Sequence, residues 1–288
     1  MLIDTHAHLN FNAFKHDLSK IIQKTLGENV WIINVGSRYE TSKRAVEIAE
    51  KYEKGVFAAI GLHPIYSTTG LVKIKTDPEE GNFIANGEDF DIEKYRELAK
   101  SNKVVAIGEI GLDYYYRPKT KRKLWLFKEK QKEVFLKQLE LAKELNLPVI
   151  FHCRKAHDNL IDILNSQFMI HNSKLEGVVH CFTGNWEQAK QYLEMGFYLG
   201  FNGIIFKLDL EEVIKKTPLN RILIETDCPY LTPLPAVALA KAGPEAGIDR
   251  NEPIFVKYVA QRIAEVRGIT FEKIAEITTQ NAKQLFKI

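Results

Sequence analysis

Cysteine is scarce in this chain: three residues in 288, an odd number, which argues against a disulfide framework and fits a reducing compartment. No apolar run approaches the roughly 20 residues that a membrane-spanning helix needs. Excess charge is missing too, since 40 Lys plus Arg against 37 Asp plus Glu leave only +3, a balance that neither demands nor forbids an anionic partner. The opening MLIDTHAHLN carries Asp4, His6 and His8 where a secretory signal would need a basic start and an unbroken apolar stretch. Tandem repeats, low-complexity segments and inter-domain linkers are also lacking. These absences predict a soluble, cytoplasmic chain with no membrane contact, and nothing points to an obligate protein partner.

What is present is an alternation of short Val- and Ile-rich runs with longer stretches of helical period. Eight such runs occur: Leu2 to Asp4, Val30 to Val35, Val56 to Gly61, Val104 to Gly108, Val149 to Phe151, Gly177 to Val179, Tyr198 to Phe201 and Ile222 to Ile224. Most are continuously apolar, as parallel strands covered on both faces must be. Helices are expected between them, for example over Thr41 to Lys51, Lys128 to Leu145 and Asp158 to Asn165. The expected fold class is α/β, a single (β/α)8 TIM barrel over 1–288 with two C-terminal helices, within 253–286, packed outside it. An open doubly wound sheet shares the same local signals. Two long connections, Ile65 to Asp91 and Pro229 to Glu252, follow the third and eighth strands and belong on the face where barrel active sites lie.

His6 and His8 close the first strand, and residues i and i+2 of an extended chain point the same way, so two imidazoles can reach one ion. Alone the pair is a weak signal. However, His63 follows the third strand, Glu109 the fourth, His152 the fifth, His180 the sixth and Asp227 the eighth. Five of the eight histidines thus fall at strand C-termini, where about one is expected by chance. His6, His8, His152 and His180 with Glu109 and Asp227 exceed what one tetrahedral ion takes and suit two divalent metal ions. Glu109, arising between the other donors, is the expected bridge. Mixed nitrogen and oxygen donors leave Zn, Mn, Fe or Mg open. Cys153, Cys181 and Cys228 each follow a proposed ligand directly, so strand alternation predicts thiols turned away from the ions.

The segments IDTHAHLN, IGLHP, AIGEIGLDYYY, VIFHCR, GVVHCFTG, YLGFNG, ILIETDCPYLTP and RNEP occur in that order. Together they resemble the TatD family of metal-dependent deoxyribonucleases, within the amidohydrolase-like hydrolases, nearly from end to end. The resemblance implies that His6, His8 and Asp227 hold one metal, His152 and His180 the other, and that Glu109 bridges them. It implies roles for His63 and Arg154 at the scissile phosphate, for Glu225 behind the ligands, and for Arg250 and Asn251 beside the site. It also implies nuclease activity on DNA, often 3′ to 5′ on an exposed end, with RNA left open as a substrate. The stretches Ile65 to Asp91 and Arg117 to Phe127 are longer than the family leads one to expect.

Chemically, two cations can clamp the attacking and leaving oxygens of a phosphodiester, with Asp227 accepting a proton, His63 serving the leaving oxygen and the Arg154 fork pairing with phosphate. The segment RPKTKRKLWLFKEKQK, from Arg117 to Lys132, interleaves aromatics with eight cations against one Glu, a pattern that grips single strands or merely solvates a helix start. Rival readings are hydrolysis of an amide, a lactone, a small phosphoester or an aminoacyl-tRNA ester, and a non-catalytic metal-binding scaffold.

Overall fold

Each apolar run forms a strand, and each strand pairs in parallel with the next: β1 (Leu2–Ala7), β2 (Val30–Val35), β3 (Val56–Ile60), β4 (Val104–Asp113), β5 (Val149–Arg154), β6 (Gly177–Val179), β7 (Tyr198–Phe201) and β8 (Ile222–Ile224). The order β1 to β8 closes on itself. A parallel bridge joins Ala7 to Cys228, the Asp227 N–H donates to the His6 carbonyl at 2.8 Å, and the His8 N–H donates to that of Cys228 at 2.9 Å. The computed structural model describes residues 1–68, 70–72, 77–81, 88–171, 175–233 and 250–288, excluding the side chains of 167–171. Parts of both long connections, at 69, 73–76, 82–87 and 234–249, therefore lie outside the described residues.

Between the strands run α1 (Leu18–Gly27), α2 (Tyr39–Ala49), α3 (Ile92–Leu98), α4 (Lys121–Leu145), α5 (His157–His171), α6 (Trp186–Glu194) and α7 (Glu211–Lys216), followed by α8 (Val256–Arg267) and α9 (Phe271–Phe286). Their starts are chemically marked. Asp91 accepts from the N–H groups of Glu93 and Lys94, Asn185 from that of Gln188, and Thr270 from that of Lys273, each satisfying an otherwise orphaned donor. The long α4 begins seven residues earlier than the sequence pattern indicates, so the basic stretch is largely helical. None of the described helices is long and apolar enough to cross a membrane.

Alternation divides the strand residues into two populations. Leu2, Ile32, Ala58, Val149 and Ile222 pack outward with the helices, whereas Ile3, Ile33, Ala59, Ile150, Val178 and Leu223 fill the interior. Into that inner cluster come Ala282, Leu285 and Phe286, at the end of α9. The last helix is thus not simply laid on the outside, as its position after the eighth strand suggests. It plugs the end of the barrel where the strands begin, with Asn281 Nδ2 donating to the carbonyls of Leu219 and Ile222 and Thr279 Oγ1 to that of Met1. Phe286→Ala should cost about 3–5 kcal/mol by emptying this plug. Urea unfolding would check it, and a loss below ~1 kcal/mol would show that the plug contributes no core.

Candidate metal centre

Two strands carry their polar residues into the cavity through irregularities in the ladder. In β1 the register shifts between Asp4 and Ala7, and in β4 between Gly108 and Ile110, leaving Glu109 as an extra residue. Such bulges re-aim side chains, and they are common beside functional sites. Below Glu109 the rung is Gly108 with Ile150; above it come Gly111 with His152 and then Asp113 with Arg154. Strands β4 and β5 therefore extend well past their apolar runs, because residues of the site are still paired in the sheet.

The buried Glu109 carboxylate lies at the centre. Its Oε2 is 3.6 Å from His6 Nε2, and its Oε1 contacts His152 Nδ1 closely and lies 3.8 Å from both His63 Nε2 and His180 Nε2. Asp227 Oδ1 is 3.4 Å from His8 Nε2, 3.9 Å from His6 Nε2 and 3.8 Å from His180 Nε2. Two sets of three donors share His6: His6, His8 and Asp227 on one side, His6, Glu109 and His180 on the other. These sets hold five of the six residues expected as ligands at the mouth formed by the strand C-termini; the sixth, His152, contacts Glu109 Oε1 but groups with His63 and Asp113 as a further set of three donors.

The hydrogen bonds behind the rings determine which nitrogens are available. His8 Nδ1 is 2.8 Å from the Val35 carbonyl, which only accepts, so the proton sits on Nδ1 and Nε2 is left for a ligand. His180 Nδ1 lies 2.9 Å from Glu225 Oε1 as an ion pair without hydrogen-bond geometry, and Nε2 points toward Glu109 and Asp227. His152 turns Nδ1 to Glu109 and Nε2 to Asp113 Oδ2 at 3.2 Å. The nitrogens His6 Nε2 and His8 Nε2 are 3.1 Å apart, near the ~3.3 Å edge of a tetrahedron built on Zn–N bonds of about 2.0–2.1 Å. By chemistry and spacing, the donor set fits divalent cations.

Charges in the cavity reinforce one another. Burial opposes ionisation of Glu109, but His152 and His63 outweigh it and hold its carboxyl well below the usual range. Burial likewise works against charge on His152 and His180; Glu109 and Asp113 nevertheless raise the first to about 10, and Glu225 with Asp227 the second to about 9. His63 goes the other way, pushed down to about 3 by burial and by the neighbouring His152. Its Nδ1 accepts from the Ile65 N–H at 3.2 Å, so the neutral ring presents Nε2–H toward Glu109.

Glu225 reaches its place because residue 200 is glycine. A Cβ there would lie 2.5 Å from Glu225 Oε2, displacing the carboxylate that faces His180 and accepts from the Cys181 N–H and from Asn202 Nδ2. Asp113 lies outside the site residues that the sequence motifs single out, yet it stands behind His152 as Glu225 stands behind His180. We expect Asp113→Asn to weaken metal affinity about 10- to 100-fold while leaving secondary structure unchanged. Calorimetric titration with Mn2+ would measure this, and an unchanged affinity would refute it.

Other placements differ from the sequence expectation. Cys153 does turn outward, opposite Leu112, near the Tyr192 hydroxyl. Cys181 does not turn away: its thiol groups with His180 and Asp227 as a third donor. Strand β6 ends at Val179, and Cys181 sits in a turn with φ of 44°, so alternation no longer governs it. Asn251 is fully buried, its amide donating to the carbonyls of Thr226 and Tyr230, and the Arg250 guanidinium is committed to Asp17 and the Ala13 carbonyl. Both brace the chain beyond β8 rather than face the cavity. Arg154 is exposed at the rim, its guanidinium carbon 3.7 Å from the centre of the Tyr115 ring.

Residues 3–287 match the sequence family described as TatD related DNase. The chain belongs to that family. It is 42% identical over 292 residues, the whole of both chains, to YabD, an uncharacterized metal-dependent hydrolase of Bacillus subtilis. It is 32% identical over 293 residues to the 3′-5′ ssDNA/RNA exonuclease TatD of Escherichia fergusonii, covering 100% of this chain and 99% of the relative. Among solved structures, YJJV, a TatD homologue from Escherichia coli, superposes with a TM-score of 0.76 at 29% identity, over 100% of this chain and 98% of the other. The barrel and its strand order are those expected of a TatD protein.

Proposed function

We propose that this TatD-family chain is a divalent-metal-dependent hydrolase that cleaves phosphodiester bonds in DNA, and in RNA, removing nucleotides from the 3′ end of single strands. The observation that carries the proposal is the convergence of buried or nearly buried donors from five strands, with Glu109 against His6, His152 and His180, and Asp227 against His6, His8 and His180. His6, His8 and Asp227 would hold one ion, His152 and His180 the other, with Glu109 between them. Bound divalent ions lower the pKa of a coordinated water and offset phosphate charge. Asp227 takes up the proton released by the attacking water. The Nε2–H of neutral His63 donates to the departing oxygen, and Arg154 pairs with non-bridging phosphate oxygens through its planar fork. Glu225 and Asp113 lie behind the rings of His180 and His152, so that His180 Nε2 and His152 Nδ1 would be the nitrogens available to hold the ions.

Two points favour the nuclease reading over hydrolysis of amides or lactones. The ten residues of β4 contain no lysine, so no carboxylated lysine can bridge ions there. The Escherichia fergusonii relative is named as an exonuclease on single-stranded DNA and RNA. The test is hydrolysis of oligonucleotides labelled at either end. We expect mononucleotides released stepwise from the 3′ end of single strands in Mg2+, Mn2+ or Zn2+. Turnover of esters or of aminoacyl-tRNA without any cleavage of DNA or RNA would refute the proposal.

A further inference from the structure

Just past Asp113 the chain leaves the barrel. No residue from 115 to 126 is buried and α4 first buries a side chain at Phe127, so the opening turns of the helix, roughly 9 Å, touch the core only through the partly buried Leu124 and leave their other faces open. On this stretch stand Tyr115, Tyr116 and Trp125, which are 48%, 55% and 62% exposed. The Arg154 guanidinium lies over one face of Tyr115, and Tyr116 stands edge-on to it at 4.8 Å. Along α4, Lys121 and Arg122 precede Trp125 by one turn and Lys128 follows it by one, so cations and ring share a face.

Among the described residues these cations meet no acidic partner. Elsewhere, exposed lysines pair along their own helices: Lys137 with Glu133, Lys215 with Glu211, Lys216 with Glu212 and Lys273 with Glu276. By contrast, Lys119, Lys121, Arg122, Lys123 and Arg154 make no ion pair among the described residues. The first turn of α4 holds no acid, although the helix dipole favours one there. The patch is continuous with the metal centre. The Tyr115 N–H donates to Asp113 Oδ1 at 2.8 Å, and Arg154 pairs across the sheet with Asp113, two residues beyond His152.

We propose that Tyr115, Tyr116 and Trp125, with the cations at the start of α4, form a platform that grips the unpaired part of a polynucleotide running away from the bond being cut. The proposal rests on the nuclease reading above. Phosphates meet the cations and bases lie on the rings, a mode of binding tolerant of base identity because every base has a stacking face. In a duplex the bases are already stacked on one another, so the platform selects single strands.

The test is binding of a phosphorothioate-linked sixteen-nucleotide oligothymidylate to the metal-loaded full chain, followed by fluorescence anisotropy. Tyr115→Ala/Tyr116→Ala/Trp125→Ala should weaken binding by about 10-fold or more. Lys121→Gln/Arg122→Gln/Lys123→Gln should flatten the dependence of log affinity on log salt by about 2. The Lys121→Gln/Arg122→Gln/Lys123→Gln variant should turn over a dinucleotide like wild type, and circular dichroism should show both triple variants folded. Unchanged affinity for the oligomer in the aromatic variant would overturn the platform while leaving the nuclease reading intact. So would an equal loss of binding to a duplex, or capture of anionic phospholipid vesicles by these residues in preference to the oligomer. Wild-type protein that binds the oligomer through these residues but cleaves no polynucleotide would support the platform and overturn the nuclease reading.

Discussion

Glu109→Ala is expected to reduce hydrolysis by about 10³-fold or more while the barrel stays folded. The size of the effect follows from geometry: this one carboxylate lies within 4 Å of His6, His63, His152 and His180, so its loss removes the anion around which the donors are assembled. The fold should survive because the remaining rings keep other partners. His152 retains Asp113, His180 retains Glu225 and Asp227, and His8 retains the Val35 carbonyl. Wild-type-like turnover by the purified variant, with circular dichroism confirming its structure, would count directly against the assignment.

Removing the metal should have an effect of the same order. Dialysis against a chelator is expected to eliminate nuclease activity, and added Mg2+, Mn2+ or Zn2+ should restore it. Stability should fall together with activity, since an ion present at 100 times its Kd and bound only by the native state adds about 2.7 kcal/mol. The melting temperature of the stripped chain should therefore drop by several degrees and recover on metal addition. Recovery of the melting temperature with every metal, but of activity with none, would instead favour an inert scaffold.

The strands were readable from the amino-acid order because parallel strands covered on both faces leave uninterrupted apolar runs. Their ends were less readable, since β4 and β5 continue as sheet through Glu109, Asp113 and His152 after the apolar character stops. Continuing the alternation from Glu109 through Gly111 would have reached Asp113; ending the strand at its first charged residue concealed it. Cys181 breaks the alternation for the opposite reason: β6 ends at Val179, and Cys181 lies beyond it in a left-handed turn where strand alternation does not apply. The apolar stripe of α9 shows that one face is buried but not against what, so its role as a plug required the structure. Arg250 and Asn251 lie near the site along the chain, but a motif does not record that both side chains are occupied with holding the segment after β8.

The most direct test of the metal centre is a crystal of the chain grown in Mn2+, with anomalous scattering measured at the manganese edge. Two peaks sharing Glu109, one also bonded to His6, His8 and Asp227 and the other to His152 and His180, are the predicted result. A map with no peak among these side chains, or with a single ion that leaves Glu109 uncoordinated, would contradict it.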